Sequence, residues 1–434
     1  MHRDEPVEYE PVSVKAVLAE MKDTAELLID LSYSAVLHGS PDLAAEVLAL
    51  ESRMDVLQLQ ARMSVMMAAR SPEDVEDLAP VLGVVGAAEK ISDAAGDIAK
   101  VVLEDVGLPE AMRYALPEAV ETLVRVPVAD GSPYVGRTLG GINMETETGV
   151  RVIAVRREQA TGKARWITNP DRDTDLRAGD TLILRGFEEG LREVYEAAAG
   201  EAYDPPDSPE PTVADLERAV DSIVLMKNMS ELAVDLAYGA VLFDSRGVAE
   251  EVAELEAEVD ALKSRFEAWT LRAAARVDDP VSLRGLVHLA SATEVISDAA
   301  LEISEGVLRG LEAHPVVAEA IEESDEVIVR TVVAPGSELA GATLGGREVK
   351  TETGMRVIAV RRSHGDEADD SAGERGTDHE SANNDGEDED GEWIVSPGAE
   401  TRLRAGDVLI AKGTRAGAER FTAMAGSPEE FDAD

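Results

Sequence analysis

The chain has 434 residues, 44% of them hydrophobic and 3% aromatic, and its 88 acidic and 41 basic side chains give a formal charge of -47. Such a charge repels itself at low salt and is tolerated in concentrated electrolyte. The composition is therefore that expected of a halophile's molar-salt cytoplasm, the alternative being a merely acidic mesophile protein. It excludes a basic nucleic-acid surface, and the absence of cysteine excludes disulfides, thiolate nucleophiles and sulfur-ligated metals.

The opening MHRDEPVEYEP does not read as a signal peptide, and no apolar run approaches the ~18 residues of a membrane span. A cytoplasmic protein is expected, with any membrane role carried by a partner. From residue 12 apolar residues recur at three and four: Val14, Val17, Leu18, Met21, Ala25, Leu28, Leu31, Ala35 and Val36, until Gly39 and Pro41 end one helix and begin the next. The second helix has Val47, Leu50, Met54, Leu57 and Ala61 on one seam, and a third runs to about Glu104 with Pro80 a candidate bend. These predict an antiparallel three-helix unit over 12–108, or half of a six-helix bundle.

Glu51 and Asp55 lie four apart on the second helix, Glu89 and Asp93 on the third, so each pair shares a face. Four carboxylates on neighbouring helices suit a hard divalent metal or an iron cluster. Equally, pairs four apart arise on any solvated face of so acidic a chain, and Glu26 with Asp30 is as regular.

The period changes near residue 121. TLVRVPV alternates, DGSPYVGRTLGGI supplies a turn and a short helix left through Gly140 and Gly141, and GVRVIAVRR is a buried strand ending in Arg156 and Arg157. ARWITNP adds a strand, LRAGDTLILRG a turn at Gly179 and a last strand, and FEEGLREVYEAAA a closing helix. This predicts a small α/β unit over 121–199. Arg156 and Arg157 can hold an anionic ligand at the strand end, the competing reading being that they pair with surface carboxylates. No GxGxxG follows a strand, which argues against a nicotinamide cofactor or ATP in the usual place. Prolines at 205, 206, 209 and 211 mark a linker over 200–211.

The unit then returns. AAEKISDAAGDIAKVVL at 87–103 comes back as ATEVISDAALEISEGVL at 292–308, and TETGVRVIAVRR at 146 as TETGMRVIAVRR at 351, both displaced by 205 residues. A second helical unit is expected over 212–313 and a second α/β unit over 326–424. The fold class is α+β multidomain, with helical and α/β units alternating. The carboxylates reappear as Glu256, Asp260, Glu294 and Asp298, and the arginines as Arg361 and Arg362. Glu26 and Asp30 also reappear, as Glu231 and Asp235, which weakens the distinction between metal site and solvated face. LRAGD at 176 returns at 403, displaced by 227, so the second copy holds an insertion of 22 residues. It lies within an acidic, glycine-rich stretch, about 365–391, expected to be disordered; His364 and His379 there have no metal-ligand spacing.

The pattern E..MD at Glu51 to Asp55, followed by AAEKISDAA, resembles the PhoU family, whose three-helix repeats carry an acidic residue four before an aspartate on the second and third helices. It departs from the common form ERIGDHA at Lys90 and Val295, and at Ala94 and Ala299. The resemblance implies tandem repeats packed as a six-helix bundle, regulation of phosphate uptake or signalling, and metal at Glu51, Asp55, Glu89, Asp93, Glu256, Asp260, Glu294 and Asp298. Residues 121–198, with V.V..GSP.VG.TL, TG..VIAVRR and AGD.L, are similar to the TrkA C-terminal (RCK-C) family of cytoplasmic potassium-transport regulators. That resemblance implies two-fold pairing and small ligands, notably cyclic di-AMP, at the interface.

The expected function is therefore a non-enzymatic cytoplasmic regulator of a membrane potassium or other cation transporter or channel, sensing a small ligand at paired RCK-C-like units, as a homodimer or an internal pseudo-dimer. The alternative is a PhoU-type regulator acting on a phosphate transporter through metal-binding carboxylates. A metal-dependent phosphatase and a purely structural or chaperone-like binding protein rank lower.

Overall fold

The computed structural model describes residues 13–115, 122–158, 164–186, 188–203, 213–311, 314–362 and 393–426. Most of the expected linker, and the acidic stretch at 365–391 with His379 and neighbouring His364, lie outside them. Three long helices come first: α1 (Val14–His38), α2 (Pro41–Ala68) and α3 (Pro72–Leu103). Gly39 ends α1 at φ 52°, a left-handed conformation suited to glycine, and donates its N–H back to the last turn. Ser40 then caps α2, its hydroxyl accepting from the Leu43 N–H with proline at the first helical position. Pro80 lies within a continuous α3 rather than dividing it.

A short α4 (Glu110–Ala115) leads to β1 (Thr122–Pro127), α5 (Leu139–Ile142), α6 (Met144–Thr148), β2 (Arg151–Glu158), β3 (Ala164–Thr168), β4 (Thr181–Gly186) and α7 (Glu188–Ala199). The exit from α5 uses Asn143 at φ 57°, not the glycines; Gly140 instead lets its backbone approach the Arg172 carbonyl. The second half follows the same course: α8 (Ala214–Leu242), α9 (Arg246–Ala274), α10 (Arg284–Leu308), α11 (Pro315–Glu323), β5 (Val327–Val332), α12 (Val349–Thr353), β6 (Met355–Arg361), β7 (Trp393–Val395), β8 (Val408–Gly413) and α13 (Arg415–Ala425).

Each sheet is antiparallel, with strand orders β1-β4-β2-β3 and β5-β8-β6-β7. Both carry a register shift at the same place, between Val152 and Ala154 in one and Val357 and Ala359 in the other.

Strand alternation divides each sheet into two faces. Leu182 and Leu184 join a core of their own unit, while Ile183 turns the other way and joins the core of the helices; in the second sheet Leu409 and Ala411 contrast with Ile410 in the same manner. Thus each sheet is covered outside by α7 or α13 and rests inside on the bundle. The six long helices share one core, and α3 packs antiparallel on α10: Gly107 accepts from the Gly285 N–H, Lys90 pairs with Glu302, and Pro80 abuts Gly306. Tyr33 and Thr293, from opposite halves, share a buried hydrogen bond of 2.6 Å.

Candidate functional site

The face that carries Ile183 and Ile410 to the bundle also carries Arg185 and Lys412, two residues further along each strand. In register, Arg185 stands directly opposite Arg151, and Lys412 opposite Arg356. Like charges so placed repel across a sheet, so each pair requires anions nearby.

The anions come from three other elements. Lys412 Nζ lies 2.6 Å from Asp235 of α8, 3.2 Å from Glu26 of α1 and 3.2 Å from Glu326, just before β5. Arg185 forks between Asp30 of α1 at 2.7 Å and Glu326 at 2.5 Å. Arg151 faces Glu326 at 3.6 Å and Asp325 at 3.4 Å, and Lys22 reaches Glu26 at 3.0 Å and the Ser324 hydroxyl at 2.8 Å. The result is a buried clasp joining both sheets to both copies of the first bundle helix.

Burial pushes the Glu326 carboxyl up, but Arg185, Lys412 and Arg151 together outweigh it and hold the group well below the carboxylate range. Burial disfavours the Lys412 ammonium as well; Asp235, Glu26 and Glu326 outweigh that and hold it protonated.

The clasp forms one wall of a cleft between the two α/β units. Arg151, Arg185, Lys350, Arg356 and Lys412 line it with Glu145, Asp235 and Glu326, around a cavity of about 40 Å³. Such a cavity holds about three waters. The units meet beside it: α6 packs on α12, and Arg420 of α13 donates to the Thr146 carbonyl at 2.9 Å.

The arginines proposed from the sequence lie elsewhere. Arg157 makes a forked pair with the buried Asp180 at 2.8 and 2.7 Å, and the same carboxylate accepts the Arg177 N–H at 2.8 Å, so this contact braces the LRAGD turn. Arg362 and Asp407 repeat the arrangement. Arg156 lies 3.6 Å from Glu158, and Arg361 is 5.8 Å from the Trp393 ring centre.

The helix carboxylates form two groups. Asp55, Glu89 and Asp93 have oxygens mutually within 4.8 Å, as do Glu256, Asp260 and Asp298. Glu51 turns toward Lys100 at 3.9 Å, with Gly96 leaving room for it, and Glu294 pairs with Lys263. Each group offers three oxygen donors that can chelate a metal ion. Partial burial, then the neighbouring carboxylates, raise Asp93; Glu256 and Asp298 are raised in the same way.

The clasp was the part that sequence reasoning missed. Its signal was present: Glu26 and Asp30 return as Glu231 and Asp235, and the basic residue before the last strand's glycine recurs as Arg185 and Lys412.

The PhoU domain matches residues 18–102 and 223–307, and the TrkA-C domain matches residues 123–199. The chain carries PhoU-domain regions and a TrkA-C domain. The clasp therefore joins α1, the first helix of one PhoU region, to β4 of the TrkA-C domain through Asp30 and Arg185, and α8, the first helix of the other, to β8 through Asp235 and Lys412. Among solved structures, PhoU from Pseudomonas aeruginosa is similar at 12% identity over 68% of this chain and 96% of that one, with a TM-score of 0.38. The GsuK RCK domain is similar at 16% identity over 71% of this chain and 64% of that one, TM-score 0.17, and the GsuK channel bound to NAD at 15% over 80% and 66%, TM-score 0.17. The chain thus spans about two thirds of the GsuK chains. No curated protein matches. No helix among the described residues is long and apolar enough to cross a membrane.

Proposed function

We propose that the protein is a regulatory sensor in which an anionic ligand, of the cyclic di-AMP class, binds the cleft between the two α/β units and changes how the helical bundle meets a membrane potassium or cation transporter. The carrying observation is the pair of like-charge cross-strand contacts, Arg151 with Arg185 and Arg356 with Lys412, facing one cleft in a chain of charge -47. Cations so concentrated suit phosphate groups. In this reading residues 326–424 form a second RCK-C-like unit, supported by the shared strand order and the shared register shift. The domain limits expected from the sequence are kept, the protein works in a salt-rich cytoplasm, and no catalysis is assigned to it.

Calorimetry with cyclic di-AMP in molar KCl tests the sensor. Heat is expected with the parent chain and its loss with Arg356→Gln; no heat with the parent chain overturns this ligand class.

The two carboxylate groups support a second reading, a PhoU-type regulator of phosphate uptake with metal at the helices. Asp93, Glu256 and Asp298 have folded-state affinities for protons above those of the unfolded chain. Their contribution is favourable below the ordinary carboxylate values of 3.8 and 4.5 and is lost as pH rises through the raised ones. A bound divalent cation reverses that repulsion. Millimolar manganese should therefore raise the melting temperature around pH 8 more than around pH 5, and Asp93→Asn with Asp298→Asn should abolish the difference. An equal shift in the variant removes metal from these helices.

A further inference from the structure

We infer that ligand occupancy of the cleft and closure of the buried clasp are competing states, so that an anion entering between the α/β units loosens their hold on α1 and α8. This rests on the reading of the cleft as an anion site.

The first argument is charge. The cleft is lined by five cations and three carboxylates, and the same cations hold Asp30 and Glu26 behind the wall. With Lys22, which reaches Glu26, and Asp325, which faces Arg151, six positive groups then face six negative ones. An incoming phosphate finds no surplus of positive charge until a carboxylate gives up its partner.

The second argument is space. The space inside the cleft, about 40 Å³, accommodates a few waters, so a ligand that seats two phosphates within it parts the units that Arg185, Lys412 and Glu326 tie together.

The third is the uneven quality of the clasp. Lys412 has a hydrogen bond with Asp235 at 2.6 Å, whereas Glu26 Oε1 and Glu326 Oε2 face it as ion pairs without hydrogen-bond geometry. Glu326 is the hub: it lies on the chain between α11 and β5, and it touches cations from both sheets. It is the carboxylate that an anion replaces.

Linkage makes the competition reciprocal. If the anion loosens the clasp, a substitution that loosens it by removing a competing carboxylate must tighten anion binding. The test is titration of the full chain with inorganic pyrophosphate in molar KCl, with hydrogen exchange read at residues 23–31 of α1 and 231–238 of α8. Glu326→Gln should bind pyrophosphate about tenfold or more tightly than the parent, in the range of ordinary coupling factors. Pyrophosphate should speed exchange at both segments in the parent. Asp30→Asn, at the other end of the Arg185 fork, should show the same gain and provides the test if Glu326→Gln loses its helical circular dichroism.

Unchanged or weaker binding in these variants, with Arg356→Gln still abolishing it, overturns the competition while leaving the cleft an anion site. Slower exchange on binding also overturns it, because ligand and clasp would then reinforce each other. If neither parent nor variants bind pyrophosphate, the anion reading of the cleft fails and the competition fails with it.

Discussion

Lys412→Met should cost about 3–5 kcal/mol of stability, the range observed when one partner of a buried ionic cluster is removed. Methionine keeps the length of the stem and fills the volume, so the loss isolates the charge. Three carboxylates then remain around an apolar side chain: Asp235, Glu26 and Glu326, each within 3.2 Å of the absent ammonium. The site is 8% exposed, so neither solvent nor molar salt screens it as a surface pair is screened. Denaturation midpoints in molar KCl measure the effect. The double variant Lys412→Met with Glu326→Gln should lose less than the two single losses together, because one of the three carboxylates left facing the methionine is gone. A loss under about 1 kcal/mol would place this lysine with ordinary surface pairs. Acid should open the clasp from the other side. Glu326 is held below its ordinary value of 4.5, so its contribution is present above that value and is lost as pH falls through the depressed one.

Much of this arrangement is written in short-range patterns. Helical spacing marks α1 and α8, and strict alternation in TLILRG and VLIAKG sends Arg185 and Lys412 to the face opposite Leu184 and Ala411. What alternation does not show is which groups lie across from that face. The meeting of Arg151 with Arg185 depends on the register shift at Val152 and Ala154, and a slip of one residue would send the side chains to the other face. Glu326 is illegible for a related reason: it precedes a strand, has no periodic neighbours, and owes its role to a turn that brings it between two sheets. The arginine pair illustrates the converse. Arg156 and Arg157 are conspicuous in sequence because they are adjacent, yet adjacency on a strand sends side chains to opposite faces, and Arg157 meets Asp180 of its own unit. Composition also blurred the signal. With so many carboxylates, Glu26 and Asp30 looked like any solvated pair until the cations of another element were placed on them.

The α3–α10 seam turns the same logic into a prediction about sign. Two glycines of α10, Gly285 and Gly306, lie at opposite ends of its crossing with α3, and alanine should act oppositely at the two. At Gly285 an added Cβ would fall far inside contact distance of the Gly107 carbonyl oxygen, which already accepts the Gly285 N–H at 2.8 Å, and would press on Val101 at 3.1 Å. That oxygen belongs to backbone, so the two halves of the bundle must separate there. Gly285→Ala should cost about 1–3 kcal/mol, the usual range for overpacking. At Gly306 the nearest atom to an added Cβ is Pro80 Cβ at 3.5 Å, an ordinary contact, and the residue lies inside the helix. Gly306→Ala should therefore be neutral or stabilising by up to about 1 kcal/mol, the difference in helix propensity between the two residues. By the displacement of 205, Gly285 corresponds to Pro80 and Gly306 to Val101, so at both ends of the seam α10 supplies the glycine and α3 the larger side chain, and only the closeness of the Gly107 carbonyl sets the two ends apart. Thermal or chemical denaturation of both variants in molar KCl reads the two signs directly. If both alanines destabilise alike, the space opposite Pro80 is not free, and Pro80 is accommodated by bending of α3 instead.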